Sequence, residues 1–523
     1  MDLSSTFSSL VDGEATSGEK KEEESIAKVI TVDAATGGEA SSPSPSHVVV
    51  MCGSTDWASA VKGAAGKMKQ KATGAKGEEF NAPTRVGGPL AKQRVKCLGV
   101  GPCAGHCAAL TADGKVFMWG LNANGQLGLG PGAASVVPGP TLAPLWNSAA
   151  EGGAPIKCAV GKNHTLVCYQ GGEVASAGCG SRGALGYGER KGDLVETSPK
   201  PTIVGGLSKH AIVDCAAGAD FSLCVDDGGS LYSFGWTEFG KLGQGSDGCY
   251  NTKDSSIKLT YTAAGSPSRV RVAAADDGDD KGGRKVVQVS AGKNHAACVC
   301  SDGVAFTWGD GAYGKLGHRA QEQLTTPTAI EGARFGVVLC GDNSTCGLGW
   351  PEYRGRAFAK PPGSDGLLYV WGVLKGTHGE GATRPQVEYD LQGWNIKPPN
   401  LAMGASHVAL AADDAAVAWA QMPVAYGQLG YGPKGPKSSH KPKKVDALEG
   451  ATCAQVVAAA GATHYLAATS DVVQKLPVWT PPDKHDDEDE GDDDDEAPSG
   501  GASKRKKPAA KKKAPAKKSK RGS

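Results

Sequence analysis

Five histidines recur in similar settings. His106, His164, His295, His407 and His464 each follow a short glycine-containing turn and precede a run of small apolar residues. Imidazole near neutrality can ligate a metal or move a proton, so the set raises the question of a metal centre or acid–base site. Their repetition argues otherwise. One histidine per repeat at a fixed place puts the rings around a circle, whereas ligands must converge. Phe221 and Ser344 hold the same place in two copies, which a ligand set would not tolerate. Each imidazole is therefore expected to brace its own repeat by donating to a backbone carbonyl.

The other reactive side chains lead to the same result. The 15 cysteines are an odd number without a Cys-x-x-Cys pair, and Cys298-x-Cys300 and Cys103-x3-Cys107 lack a second pair at zinc spacing. Several, such as Cys168 and Cys224, sit in apolar runs and read as buried thiols of a reducing compartment. Glycine runs such as Gly128-Leu-Gly130 lack the Lys-Ser/Thr and following helix of a phosphate loop. No nucleophile–base set stands apart from the repeats, so neither an enzyme nor a cofactor is expected.

The elements that carry these residues are short and repeated. From His106, His164, Phe221 and His295, the glycine of a Trp-Gly-like step lies 14 residues on, and the glycine of a Leu-Gly step 8 further. Successive copies are 58, 57 and 74 residues apart, the longest interval holding an insertion, Ser246–Lys285. Weaker copies follow at Ser344, at His407 (with Ala420 for the glycine) and at Gly461-Ala-Thr-His464, which stops after its apolar run. Apolar runs bounded by Asp-Gly, as at Asp113-Gly114 and Asp302-Gly303, read as strands joined by tight turns. About 57 residues hold four strands of roughly 5–6 residues. Such a sheet cannot cover its own faces, and a ring of sheets can. The expected fold is all-β: a seven-bladed β-propeller over residues 47–477, flanked by disordered tails at 1–46 and 478–523. Trp119, Trp308, Trp371 and Trp419 are expected in the packing between blades. His47–Gly53 and Trp57 supply the strand that the last repeat lacks and are expected to close the ring beside His464.

The pattern Gly-x-x-His, Asp-Gly, Trp-Gly, Gly-x-Leu-Gly resembles the regulator-of-chromosome-condensation repeat, and it covers residues 47–470. Tyr232-Ser-Phe-Gly235-Trp-Thr-Glu238-Phe-Gly-Lys-Leu-Gly243 and Gln428-Leu-Gly-Tyr-Gly432 are similar to the telophase-disc branch of that family. The resemblance implies a nuclear protein, on chromosomes or centromeres in mitosis, that binds a small GTPase of the Ran, Rac or Ral type. It also implies guanine nucleotide exchange, which the founding member performs with a wedge loop. No motif here aligns with that wedge, and no exchange residue is carried over.

The net charge of +1 is a cancellation. Asp486–Glu496 holds ten acids, and Lys504–Arg521 holds eleven cations and no acid. Lys504, Arg505, Lys506, Lys507, Lys511, Lys512, Lys513, Lys517 and Lys518, set among Ala and Pro, resemble a linker-histone tail and a nuclear import signal. They are the candidate contacts to DNA or histones, by counterion release without sequence preference. Acidic microtubule surfaces are the alternative partner for the same charges. Arg269 and Arg271 in the insertion, with Lys437, Lys443 and Lys444 after the sixth repeat, are the candidate partner-binding loops. Met1–Glu24 lacks a basic segment followed by an apolar one, and no run of about 18 apolar residues occurs, so neither a secretory leader nor a membrane span is expected.

Overall fold

A computed structural model describes residues 47–57, 77–151, 153–190, 192–252, 258–272, 283–353, 356–357, 366–373, 381–420, 424 and 426–482. The basic residues Lys504–Lys518, the acidic run and Asp276–Asp280 lie outside them.

Seven antiparallel sheets follow one another as the blades of a propeller. In the second, Pro155–Val160, His164–Tyr169, Val174–Cys179 and Thr197–Ile203 pair in that order from the inner strand outward. The His-bearing strands are buried along their whole length, as His164–Tyr169 and His295–Cys300 are. Small residues there let neighbouring sheets approach from both sides. Each core accordingly mixes adjacent blades: Phe221 and Leu223 of the third blade pack with Ala296, Cys298 and Trp308 of the fourth.

The seventh blade is built from both ends of the propeller. Cys453–Ala458 and Ala462–Ala468 are continued by His47–Ser54 and then Glu79–Val86. His47–Ser54 runs antiparallel to Ala462–Ala468, from His47 opposite Ala468 to Gly53 opposite Ala462. A short strand, Val478–Trp479, adds in parallel to Glu79–Val86 and buries Trp479. The folded sheet thus runs two residues past the boundary expected at 477.

Two other expectations shift. His464 is not the seventh landmark histidine. By register, Gly53 opposes Ala462 as Gly178 opposes His164, so Ala462 holds the landmark position and His464 lies two residues on. Nor is Ser246–Lys285 one loop. It contains a hairpin, Cys249–Thr252 with Lys258–Tyr261, and then the blade's outer strand, Ala263–Val270.

The glycine of the Trp-Gly step is a conformational requirement. Gly309 has φ 104°, and a Cβ there would lie 2.6 Å from the Asn294 carbonyl oxygen and 2.8 Å from the His295 Cα. Gly309→Ala is expected to destabilise the protein by about 3 kcal/mol or more, from strain and overlap together. Ala420, the natural exception, is not among the positive-φ residues. Ala420→Gly should cost about 1 kcal/mol or less. Urea midpoints of the two variants check the contrast.

Candidate functional site

The turns that begin each His-bearing strand gather at one end of the propeller, and the Asp-Gly hairpins lie at the other. At the His-turn end the blades interlock through a repeated relay. The His106 Nε2–H donates to Thr165 Oγ1 of the next blade (2.8 Å), and Thr165 donates to the Gln126 carbonyl (2.8 Å). His164 acts likewise through Ser222 to Ala184, His295 through Thr345 to Lys315, and His407 through Thr463 to Gln428. Because each hydroxyl gives its proton to a carbonyl, the imidazole must be the donor, and Nε2 carries hydrogen. The expected direct bond to a backbone carbonyl is therefore replaced by a hydroxyl-mediated one that joins two blades. Thr463 follows Ala462 as Thr165 follows His164, so the hydroxyl, aligned in place of the histidine, would have set the last repeat correctly. His464 still braces the seam from its displaced position. Its Nε2 is 3.8 Å from Cys107 Sγ, the residue at the hydroxyl position of the first blade, and its ring meets the edge of Trp119.

Burial keeps these rings neutral. It holds His106 down at about 3, with His164 adding repulsion, and His407 and His464 at about 4. His164 is held at about 4 by burial, against the pull of Asp220. His295 is pushed well below its usual value, by burial and then Lys315. Trp119, Trp308, Trp371 and Trp419 are buried as well, and Trp308 Nε1 donates to the Lys241 carbonyl of the preceding blade at 2.9 Å.

Above the relay lies a cavity of about 410 Å³, over blades two to four, lined by Lys162, Arg182, Asp220, Glu238, Lys293 and Asn294 among others. In blades two to four, the two residues between the turn glycine and the landmark His or Phe221 line it. Asp220 is fixed by Arg182 Nη1 and Lys241 Nζ, each at 2.6 Å. Lys241 is fully buried, so this carboxylate is anchored from below, and the Arg182 guanidinium lies over the Trp236 ring at 4.9 Å. Lys293 Nζ is a loose 3.8 Å from Asp342 Oδ2, and Lys162 has no acid within 4 Å among the described residues. Burial raises the Asp342 carboxyl to about 6 against Lys293, Lys315 and Lys162. The insertion hairpin rises from the same end. Its base is pinned where Thr262 N donates to the Gly248 carbonyl (3.1 Å) and Thr237 Oγ1 to Thr262 O (2.6 Å). Tyr261 packs on Trp236, and Tyr250 is exposed.

The one hydroxyl–imidazole pair at the cavity floor, Ser222 and His164, is fully buried, with the serine proton committed to Ala184 O. An imidazole already protonated at Nε2 cannot take that proton.

The structure does not assemble the expected partner-loop residues. Arg269 is exposed on the outer strand of the third blade, opposite Tyr232 and near the Asp-Gly end. Arg271 is exposed just beyond that strand. Lys437, Lys443 and Lys444 are exposed on the sixth blade, where Lys443 Nζ lies over the Tyr431 ring and Lys444 pairs with Glu449 at 3.4 Å. The cavity cations Lys162, Arg182 and Lys293 were overlooked because they lie inside the repeat motif. For Lys162 and Lys293 the signal is charge at a variable position of Gly-x-x-His, whereas Arg182 stands in the loop just before Gly183.

Comparison with known proteins decides the family. The regulator of chromosome condensation (RCC1) repeat model matches residues 113–168, 171–225, 228–299 and 302–348. The chain is similar to the Danio rerio protein described as Protein RCC2 homolog, 33% identical over 419 residues, covering 77% of this chain and 78% of that protein. The chain belongs to the RCC1-repeat family. Human Protein RCC2 is 32% identical over 419 residues, covering 77% of this chain and 74% of that one. Among solved structures, Prp20p from Saccharomyces cerevisiae superimposes with a TM-score of 0.60 at 19% identity, over 83% of this chain and 94% of that one. That structure is described together with its binding to Gsp1p and histones. At this identity the likeness of an RCC1-repeat protein to it concerns the fold.

Proposed function

We propose that this RCC1-repeat protein is a non-catalytic docking protein that receives a small GTPase of the Ran, Rac or Ral type on its His-turn face. Its C-terminal basic residues hold it on chromatin in the nucleus, in the service of chromosome segregation. The observation that carries the docking face is the cavity over blades two to four. There Lys162 and Lys293 stand without tight partners beside anchored Asp220, and the hairpin Cys249–Tyr261 flanks the opening. Fixed charges of both signs on a rigid rim suit recognition of a folded, polar protein surface and tune its association rate. Binding of Gsp1p and histones by Prp20p supports the choice of partners. On this reading the hairpin is the element that would act on a docked GTPase, so nucleotide exchange is assayed with binding.

The full chain is captured on a panel of nucleotide-free small GTPases, and nucleotide release is followed for each that binds. The double variant Lys162→Glu/Lys293→Glu is expected to weaken binding about tenfold or more, roughly 1.4 kcal/mol. The control Arg269→Glu/Lys437→Glu, away from the cavity, should bind as the parent does. Equal binding by the cavity variant, or capture by no GTPase, overturns the reading. For the chromatin half, residues 478–523 fused to a neutral reporter should enter the nucleus and bind DNA with steep salt dependence.

A further inference from the structure

The inner strands carry a second set of inter-blade brackets, one position of which is occupied by thiols. At the inner-strand position that pairs with the residue four past the landmark, side chains of several blades reach the next blade. Gln455 of the seventh blade bonds the backbone of Leu98 in the first, accepting from Leu98 N (2.8 Å) and donating to Leu98 O (3.0 Å). Gln288 of the fourth does the same to Val338 of the fifth, at 3.1 and 3.0 Å. Asp214 of the third accepts from Val289 N of the fourth at 3.2 Å and pairs with Lys157 of the second. By register, Cys97 is the first blade's member of this set, and the residue it faces in the second blade, equivalent to Leu98 and Val338, is Cys158.

Two placements put the Cys158 sulfur against the first blade. A Cβ on Gly99 would fall 2.2 Å from Cys158 Sγ, and Cys97 packs on the core cluster that contains Cys158. Gln455 Nε2 lies 3.9 Å from Cys97 Sγ, so the thiol also touches the amide bracket behind it. Cys97 keeps partial exposure, whereas Cys158 is 6% exposed. Lys96 and Lys157 flank the pair.

We infer that Cys97 and Cys158 form a peroxide-sensitive dithiol site that closes to a disulfide, joining the first blade to the second. The Cys97 thiolate attacks one oxygen of hydrogen peroxide and breaks the O–O bond. This forms Cys97 sulfenic acid, and the departing hydroxide takes a proton to become water. The Cys158 thiol then attacks Cys97 Sγ, forming the S–S bond and releasing a second water. Two thiols lose two electrons in all, and one peroxide gains them. Division of labour follows from the environment. The neighbouring Cys158 thiol lowers the Cys97 thiol below its usual value against the opposing effect of burial, with Lys157, Gln455 and Lys96 helping. Cys158 is held well above its usual value, first by Cys97 and then by burial. Cys97, the residue with the lowered thiol and partial exposure, is thus the nucleophile, and buried Cys158 resolves.

The test uses the full chain under stoichiometric hydrogen peroxide, followed by denaturation in alkylating agent and peptide mapping. The expected product has lost the mass of two hydrogen atoms and joins the Cys97 peptide to the Cys158 peptide. Cys97→Ser should abolish that product. Cys158→Ala should halt the reaction at a Cys97 sulfenic acid captured by a dimedone probe. The alanine variant keeps the site testable should a serine hydroxyl at the buried position disturb folding. In the untreated protein, iodoacetamide at neutral pH should modify Cys97 well ahead of Cys158. A link formed instead between Cys168 and Cys215 or between Cys298 and Cys300, a link surviving in Cys97→Ser, or a Cys97 no faster than Cys158 would each overturn the inference.

Discussion

A chain lacking residues 47–57 is expected to lose cooperative unfolding and expose its seventh blade. The segment supplies an internal strand, not an edge. On one side all seven residues from His47 to Gly53 pair with Ala468 to Ala462, and on the other Val50 to Ser54 pair with Arg85 to Glu79. Removing it strands Glu79–Val86, and with it Val478–Trp479, which has no other sheet to join. Val49, Val50, Met51, Cys52 and Trp57 are all buried. At about 1.5–3 kcal/mol for each large apolar side chain, the loss is on the order of 10 kcal/mol, comparable to the whole stability of a typical domain. A milder form is Val49→Asp, which buries an unpaired carboxylate opposite Leu466, in the apolar cluster of Val86, Leu90 and Leu466, and should cost about 3–5 kcal/mol. Thermal and urea unfolding of the deletion variant measure the effect. An unchanged midpoint with full amplitude would show that the ring holds without this strand.

Closure of this kind was legible because the missing half of the last repeat and the surplus strand at the start are both visible as pattern. The strand count and the Asp-Gly turns were legible for the same reason: each repeats with little variation. What escaped was whatever departs from the repeat by a residue or two. In the seventh blade, Gly461 precedes a histidine at the familiar distance, yet pairing with Gly53 places Ala462 at the landmark and turns His464 to the Cys107 seam. Sequence spacing is blind to that slip because His464 and Ala462 share a face of the strand. In the third blade, charge and length made Ser246–Lys285 look like one loop, although Ala263–Val270 has little of the β-branched enrichment that marks a strand. The cavity over blades two to four was hidden differently. Lys162, Arg182, Asp220 and Lys293 come from three blades, and only the ring brings them together.

The histidine relay predicts a steep loss of stability in mild acid. Five imidazoles sit fully buried and neutral, four of them at about 3 to 4 in the folded state and His295 also well below its usual value. In the unfolded chain each titrates near 6.5. Between these values the unfolded state binds more protons, so stability falls as pH falls. The contribution is intact above about pH 6.5 and declines by about 1.4 kcal/mol per pH unit for each ring below it. From pH 7 to 5 that is roughly 2 kcal/mol for each of the four rings held at about 3 to 4, about 7 kcal/mol together, and His295 adds in the same direction. Asp342 works the other way. Its carboxyl, raised to about 6, takes up its proton in the folded state first and returns about 1 kcal/mol over the same interval. Protonation also removes what the relay needs mechanically, because a charged ring in a dry seam between blades meets only a hydroxyl at Thr165, Thr345 or Thr463, and only partial compensation from Asp220 beside His164. Urea unfolding at pH 7, 6 and 5 should therefore show a midpoint that drops with each step, with a net uptake of about three to four protons per molecule unfolded near pH 5 once the proton released by Asp342 is subtracted. His407→Phe isolates the cause, since Phe221 already fills this position in the third blade. It leaves Thr463 donating to Gln428 and should reduce the proton count by about one. A midpoint flat between pH 7 and 5, or a proton count untouched by His407→Phe, would place the acid sensitivity of this ring elsewhere than in its imidazoles.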